Sequence, residues 1–208
     1  MSSEQDQFRC ELEAAVARFN LEPLPAESAT QLVKHYSLLC QWNKRVNLTR
    51  IITPGDAATL HYAESLFGAQ FVREEKVLDI GSGAGFPGIP LAVVRPDSHV
   101  TALEANNRKA IFLKEAKDSI GLSNLRVETA RIEEFDWDEY GLLTSRALDR
   151  AEEILPAVVK CMGPHQKLML FCGPDMIGKI EAHAKLEKEA YPIPESDSRI
   201  VVIFSLAA

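Results

Sequence analysis

The apolar run Val77-Leu78-Asp79-Ile80 ends beside a carboxylate, and glycines follow at positions 81, 83, 85 and 88. Backbone with so little side-chain bulk lets a ligand lie against the main chain. Two ligand classes compete for it. From Gly83, the spacing Gly83-x-Gly85-x-x-Gly88 matches the dinucleotide fingerprint, and Glu104 follows roughly twenty residues on, where a ribose carboxylate belongs. The register opposes that reading. The glycine directly after the apolar run is Gly81, which puts Phe86 at the sixth position, where a bulky ring blocks close helix–strand packing. The other pattern is Asp79-x-Gly81-x-Gly83-x-Gly85, the acid-then-glycine order of S-adenosylmethionine sites. A pyrophosphate wants bare N–H groups at a helix N-terminus. S-adenosylmethionine has no phosphate and carries an ammonium, a carboxylate and a sulfonium. Asp79 can take the ammonium directly or through water, and Glu104 can accept both ribose hydroxyls. Their joint placement on adjacent strand tips favours S-adenosylmethionine.

Further along, Ile132-Glu133 offers an apolar face and a backbone N–H of the kind an adenine ring uses, although Glu133 equally suits a solvated helix start. Arg146 ends a strand-like run, and the carboxyl end of a strand in an open α/β sheet faces the ligand crevice. Its guanidinium could pair with a phosphate, address a guanine edge, or form an internal ion pair with a nearby acid. An NPPY-type acceptor motif is missing after that strand. The four cysteines, Cys10, Cys40, Cys161 and Cys172, are scattered with no CxxC, and the histidines lack ligand spacing. This predicts no metal site and a reducing, cytoplasmic setting.

The elements that must position these residues change rhythm along the chain. Apolar residues at Phe8, Leu12, Ala15, Val16 and Phe19, then at Leu32, Val33, Tyr36, Leu39 and Cys40, predict two helices. Thr53 or Pro54 opens a third, to about Phe71. From Lys76, strands alternate with helices: strands over 76–80, 99–105, 125–130, 141–147 and 166–173, with a helix from about Asp175 to Glu189 near the end. AYPIP and RIVVIFSL make the last two strands. Only ESDS separates them, too short for a crossover, so they form an antiparallel hairpin. The fold class is therefore α/β: a Rossmann-like methyltransferase fold with a mostly parallel seven-stranded sheet, a reversed last strand and an N-terminal helical extension. The division expected is 1–72 for the extension and 73–208 for the S-adenosylmethionine-binding domain.

A net charge of −7 counts against binding nucleic acid mainly by phosphate neutralisation, though a local basic patch can still meet a structured RNA. Candidate contacts are Lys44, Arg45 and Arg50, with Arg108, Lys109, Lys114 and Lys117 at helical spacing.

In order, these residues resemble the RsmG (glucose-inhibited division protein B) family of bacterial 16S ribosomal RNA guanine-N7 methyltransferases. The resemblance rests on Trp42-Asn43-Lys44 with Asn47-Leu48-Thr49, His61 with Glu64-Ser65, and the loop from Asp79 to Pro90. Arg108-Lys109, Phe112-Leu113, Glu133 and Ser145-Arg146-Ala147 continue it. The resemblance implies methyl transfer from S-adenosylmethionine to a guanine at position 527 of 16S rRNA in the small ribosomal subunit. It also implies a cofactor site that includes Gly81, Phe86, Ile132-Glu133 and Arg146. Two positions depart from the family pattern: Glu64 stands where an aspartate is usual, and Cys172-Gly173 replaces Lys-Gly. The rival readings are a NAD-dependent oxidoreductase, a factor that binds RNA without catalysis, and a methyltransferase for a small molecule or a protein.

Overall fold

A computed structural model describes residues 3–146 and 151–207 of the chain. Ala147, part of both the fourth-strand reading and the Ser-Arg-Ala match, lies outside the described residues. The N-terminal helices are α1 (Ser3–Arg18) and α2 (Ala26–Asn43), followed by α3 (Pro54–Ala57), a π-helical segment (Ala58–Ala63) and α4 (Glu64–Ala69). Strands β1 (Lys76–Ile80), β2 (His99–Leu103), β3 (Leu125–Glu128), β4 (Leu142–Arg146) and β5 (Lys167–Cys172) alternate with helices α5 (Gly88–Val94), α6 (Asn107–Ile120) and α7 (Ala151–Cys161). The chain then forms α8 (Pro174–Glu181), β6 (Leu186–Pro192) and β7 (Ile200–Leu206).

The sheet order is β3-β2-β1-β4-β5-β7-β6. The first five strands pair in parallel, and β7 enters antiparallel between β5 and β6. The period-2 alternation of strand side chains sorts the core into two layers. Val77, Val100, Leu142, Met169 and Val201 bury against the N-terminal helices, α5 and α6. Leu78, Leu103, Leu143, Leu168 and Val202 bury on the opposite face with α7 and α8. Phe8, Leu12, Leu32 and Tyr36 of the first two helices belong to the first of these clusters, so helical segment and sheet share one core.

Local signals account for most boundaries. Thr53 caps α3 by accepting from the Asp56 N–H, and Pro54 sits in the first turn. Asn106 caps α6 by accepting from Arg108 and Lys109 N–H groups, and Gly121 ends that helix in the left-handed region at φ 77°. One expectation fails: the helix expected to reach Glu189 stops at Glu181, and Leu186-Glu187-Lys188-Glu189 is strand. Those residues are helix-prone, but the outer edge of β7 offers unpaired backbone. Pairing from Leu186↔Leu206 to Pro192↔Ile200 outweighs local propensity. The resulting edge strand is charged and ends in proline, as edges that resist further pairing do.

Candidate active site

The crevice lies at the carboxyl ends of β1, β2, β4 and β5. Past β1 the chain turns through Gly81, Gly83 and Gly85 at φ 70°, 57° and 89°, a left-handed series that side chains rarely adopt. Gly81 and Ser82 N–H groups donate to the Leu103 carbonyl at 2.8 and 3.1 Å, which ties the loop to the next strand. Glu104 completes the tie: its two oxygens accept from Gly83 N at 2.9 Å and Asn106 N at 2.8 Å. Asp79 lies beneath the loop with no exposed surface. Its Oδ2 accepts from Gly88 N at 3.0 Å, whereas Oδ1 has no partner. A Cβ on Gly88 would stand 2.6 Å from that Oδ2, so the carboxylate and helix α5 meet only through glycine. Burial pushes the Asp79 carboxyl up to about 7, against the hydrogen bond from Gly88.

The facing wall comes from the π segment and α4. Their carbonyls at Leu60 and His61 accept from the Arg146 guanidinium, at 3.2 Å for His61. Widened helical turns of this kind are common at functional sites. Glu64 is buried between two arginines: Arg199 Nη2 is 2.6 Å from Oε1, and Arg146 Nη2 is 3.2 Å from Oε2, close enough for an ion pair but not aligned as a hydrogen bond. Burial raises the Glu64 carboxyl, and both arginines oppose that rise. The His61 ring stacks on Phe86 at 4.5 Å, with Nε2 2.9 Å from Thr49 Oγ1 and Nδ1 3.5 Å from Arg146. Arg146 can only donate, which places the ring proton on Nε2, toward Thr49. Burial and then the Arg146 charge push the His61 pKa down to about 3, so the ring is neutral and weakly basic.

Between the walls is a cavity of about 770 Å³. Gly81, Gly83, Phe86, Glu104, Ile132, Glu133 and Arg146 all line it, together with Arg50 and Lys109 from the proposed RNA set. Asp79 and Gly85 sit behind the lining, and Lys44, Arg45 and Arg108 are exposed away from it. Arg146 makes the internal ion pair that the sequence left open as an alternative to ligand contact. Ile132 is buried at the head of a short 3₁₀ turn, while Glu133 beside it is exposed. Cys172 reaches the cavity from the end of β5, and burial pushes its thiol up to about 11. Arg199 was missed. The available signal was a cation immediately before the β7 run, which the antiparallel pairing Cys172↔Ile200 brings to the carboxyl end of β5.

The residues present fit S-adenosylmethionine. An unpartnered buried carboxylate oxygen, left-handed glycines without side chains, and a second acid with both oxygens fixed by backbone suit an ammonium, an amino-acid tail and a ribose. Among the described residues, no three His, Cys, Asp or Glu side chains group as a metal site would require.

Residues 28–192 match the family described as GidB, rRNA small subunit methyltransferase G. Ribosomal RNA small subunit methyltransferase G of Xanthomonas campestris pv. campestris is 36% identical over 165 residues, 78% of each chain. Its counterpart in Methylobacillus flagellatus is 42% identical over 125 residues, and the match spans 60% of either protein. Among solved structures, a SAM-dependent methyltransferase from Aquifex aeolicus superposes with a TM-score of 0.57 at 14% identity, covering 82% of this chain and 97% of that one. The methyltransferase SibL in its apo form gives 0.59 at 12% identity, covering 88% and 70%. At those identities the superpositions speak for the fold alone. The family match spans most of the sequence, and with the Xanthomonas relative it shows that this chain belongs to the rRNA small subunit methyltransferase G family.

Proposed function

We propose that this chain transfers the methyl group of S-adenosylmethionine to N7 of a guanine, position 527 of 16S rRNA, within the small ribosomal subunit or a precursor of it. The observation that carries this reading is the pairing of a wall suited to S-adenosylmethionine with a facing wall whose described histidine and cysteine are held as neither base nor nucleophile. His61 is held neutral with a pKa of about 3, and Cys172 is held as a thiol. Such a site suits an acceptor that needs no deprotonation. Guanine N7 carries an in-plane lone pair and no proton.

When bound, S-adenosylmethionine supplies an electrophilic sulfonium methyl. The work left to the protein is alignment and exclusion of water, and good orientation supplies roughly 7–11 kcal/mol. Glu104 would hold the ribose hydroxyls, Asp79 would attract the ammonium from beneath the loop, and the backbone at Gly81, Gly83 and Gly85 would receive the amino-acid tail. Ile132 and Phe86 give apolar surface, and the Glu133 backbone would serve the adenine. Arg146 positions Glu64 and the π-segment carbonyls. Thr49 accepts from Ile51 N–H at 3.1 Å and from His61, which leaves its own proton to donate to an acceptor oxygen such as guanine O6. Residues 1–72 form the RNA-facing unit and 73–208 the cofactor-binding domain in this scheme. Arg50 and Lys109 at the cavity, and Lys44, Arg45 and Arg108 outside it, meet phosphates. No helix among the described residues is long and apolar enough to cross a membrane, which accords with work on ribosomal RNA in the cytoplasm.

The test is transfer of labelled methyl to small subunits lacking the modification, beside deproteinised 16S rRNA and unrelated RNA. Borohydride and aniline cleavage then locates N7-methylguanine. A single cleavage at the proposed guanine is expected. Label in RNA without aniline-sensitive scission would overturn the N7 assignment.

A further inference from the structure

His35 projects from α2 into the base of the glycine loop and has no exposed surface. Its Nε2 is 3.1 Å from the Ala84 carbonyl oxygen, and its Nδ1 is 2.8 Å from the Tyr62 hydroxyl. A carbonyl only accepts, so Nε2 carries the ring proton. Nδ1 can then only accept, so Tyr62 donates. The bonds select one neutral tautomer, and both nitrogens are satisfied in a site where an unmet polar group is costly. Tyr62 comes from the π segment, and Ala84 lies between the left-handed Gly83 and Gly85. His35 also lies 5.3 Å from the ring of Phe86, the loop's other anchor. A Cβ on Gly85 would come within 3.3 Å of His35 Nε2 and 2.5 Å of Ile89, so loop and helix fit only as closely as glycine permits.

We propose that His35 is a positioning residue for cofactor binding: it holds the Ala84 carbonyl inward, and so keeps the glycine loop in the turn against which the cofactor lies. The proposal rests on reading that loop as the S-adenosylmethionine site. It makes the N-terminal helices part of the cofactor site, though none of their residues need touch the cofactor. Tyr62 completes the arrangement by fixing the donor nitrogen.

The test is calorimetric titration of S-adenosylmethionine into the full chain and three variants, with denaturant unfolding of each. His35→Leu removes the donor and should weaken affinity by about tenfold while the variant still unfolds cooperatively. His35→Gln keeps an amide N–H and should return affinity to within about threefold of the parent. Tyr62→Phe leaves Nδ1 without its donor. It should weaken binding less than His35→Leu does, and nitrogen NMR of His35 should keep the Nε2–H pattern that the Ala84 carbonyl selects. Equal affinity in His35→Leu and the parent overturns the proposal, and so does an equal loss in the leucine and glutamine variants, since packing alone would then explain it. If His35→Leu does not fold, His35→Met, similar in size to glutamine but without a donor, decides against His35→Gln: weaker binding in the methionine variant supports the proposal and equal binding in the two overturns it. A parent chain that binds no cofactor overturns the loop assignment itself, and the proposal with it.

Discussion

On the glycine-loop wall of the cavity, acids are held by backbone. Glu104 accepts from Gly83 and Asn106 N–H groups, and Asp79 from Gly88. On the facing wall, charged side chains hold each other, with Glu64 between Arg146 and Arg199 and the guanidinium of Arg146 on helix carbonyls. Backbone donors are fixed by the fold and leave carboxylate lone pairs for ligand hydroxyls or an ammonium. Mutually paired charges instead depend on every member being present. The first wall therefore fails by losing ligand, and the second by losing its own geometry.

The largest effect should come from breaking the buried pair. Glu64→Ala strands two arginines and is expected to cost about 3–5 kcal/mol in denaturant unfolding. A loss below about 1 kcal/mol would mean that the triad is solvated and the contrast false. On the other wall, Glu104→Ala should weaken S-adenosylmethionine by about 2 kcal/mol, some thirtyfold in Kd, with RNA affinity unchanged in a filter-binding assay.

The Asp79 carboxyl sharpens the comparison through pH. Its folded pKa, about 7, lies above the 3.8 of a free aspartate, so the native state holds an extra proton between the two. Ligand-free stability from this group is fully present below about pH 4 and is lost as pH rises through about 7. Cofactor affinity should run the other way, rising through about pH 7 and levelling about one unit higher, because only the carboxylate holds an ammonium. Calorimetry across that range checks both slopes, and Asp79→Asn should flatten both. The smallest change belongs to Cys172→Ser. With the thiol pushed up to about 11, no thiolate is available to lose, and both unfolding free energy and turnover should stay within about 0.5 kcal/mol.

The two walls also differ in how far the sequence discloses them. Asp79, the glycines and Glu104 lie at or just after consecutive strand tips, so their placement beside one crevice follows from spacing within a single stretch of chain. Even there, the spacing could not show that Asp79 is sealed beneath Gly88, which depends on the angle at which α5 leaves the loop. The facing wall draws Thr49, His61, Glu64, Arg146, Cys172 and Arg199 from segments far apart in the chain. Apart from His61 and Glu64, one helical turn apart, no local spacing relates them. Arg199 in particular becomes a partner of Glu64 only because β7 runs antiparallel beside β5. The parallel strands, the caps at Thr53, Asn106 and Gly121, and the closing hairpin follow from local patterns. The start of β6 does not, because sheet pairing there overrides residues that favour a helix.

Separate duties for the two walls are tested most directly by measuring S-adenosylmethionine affinity and single-turnover methyl transfer side by side in Glu104→Ala and Arg199→Ala. The account predicts that Glu104→Ala loses cofactor affinity and recovers transfer at saturating cofactor. Arg199→Ala should keep cofactor affinity within about twofold and lose transfer at every cofactor concentration. If both variants lost cofactor affinity equally, the cavity would be a single undivided site and the account would be contradicted.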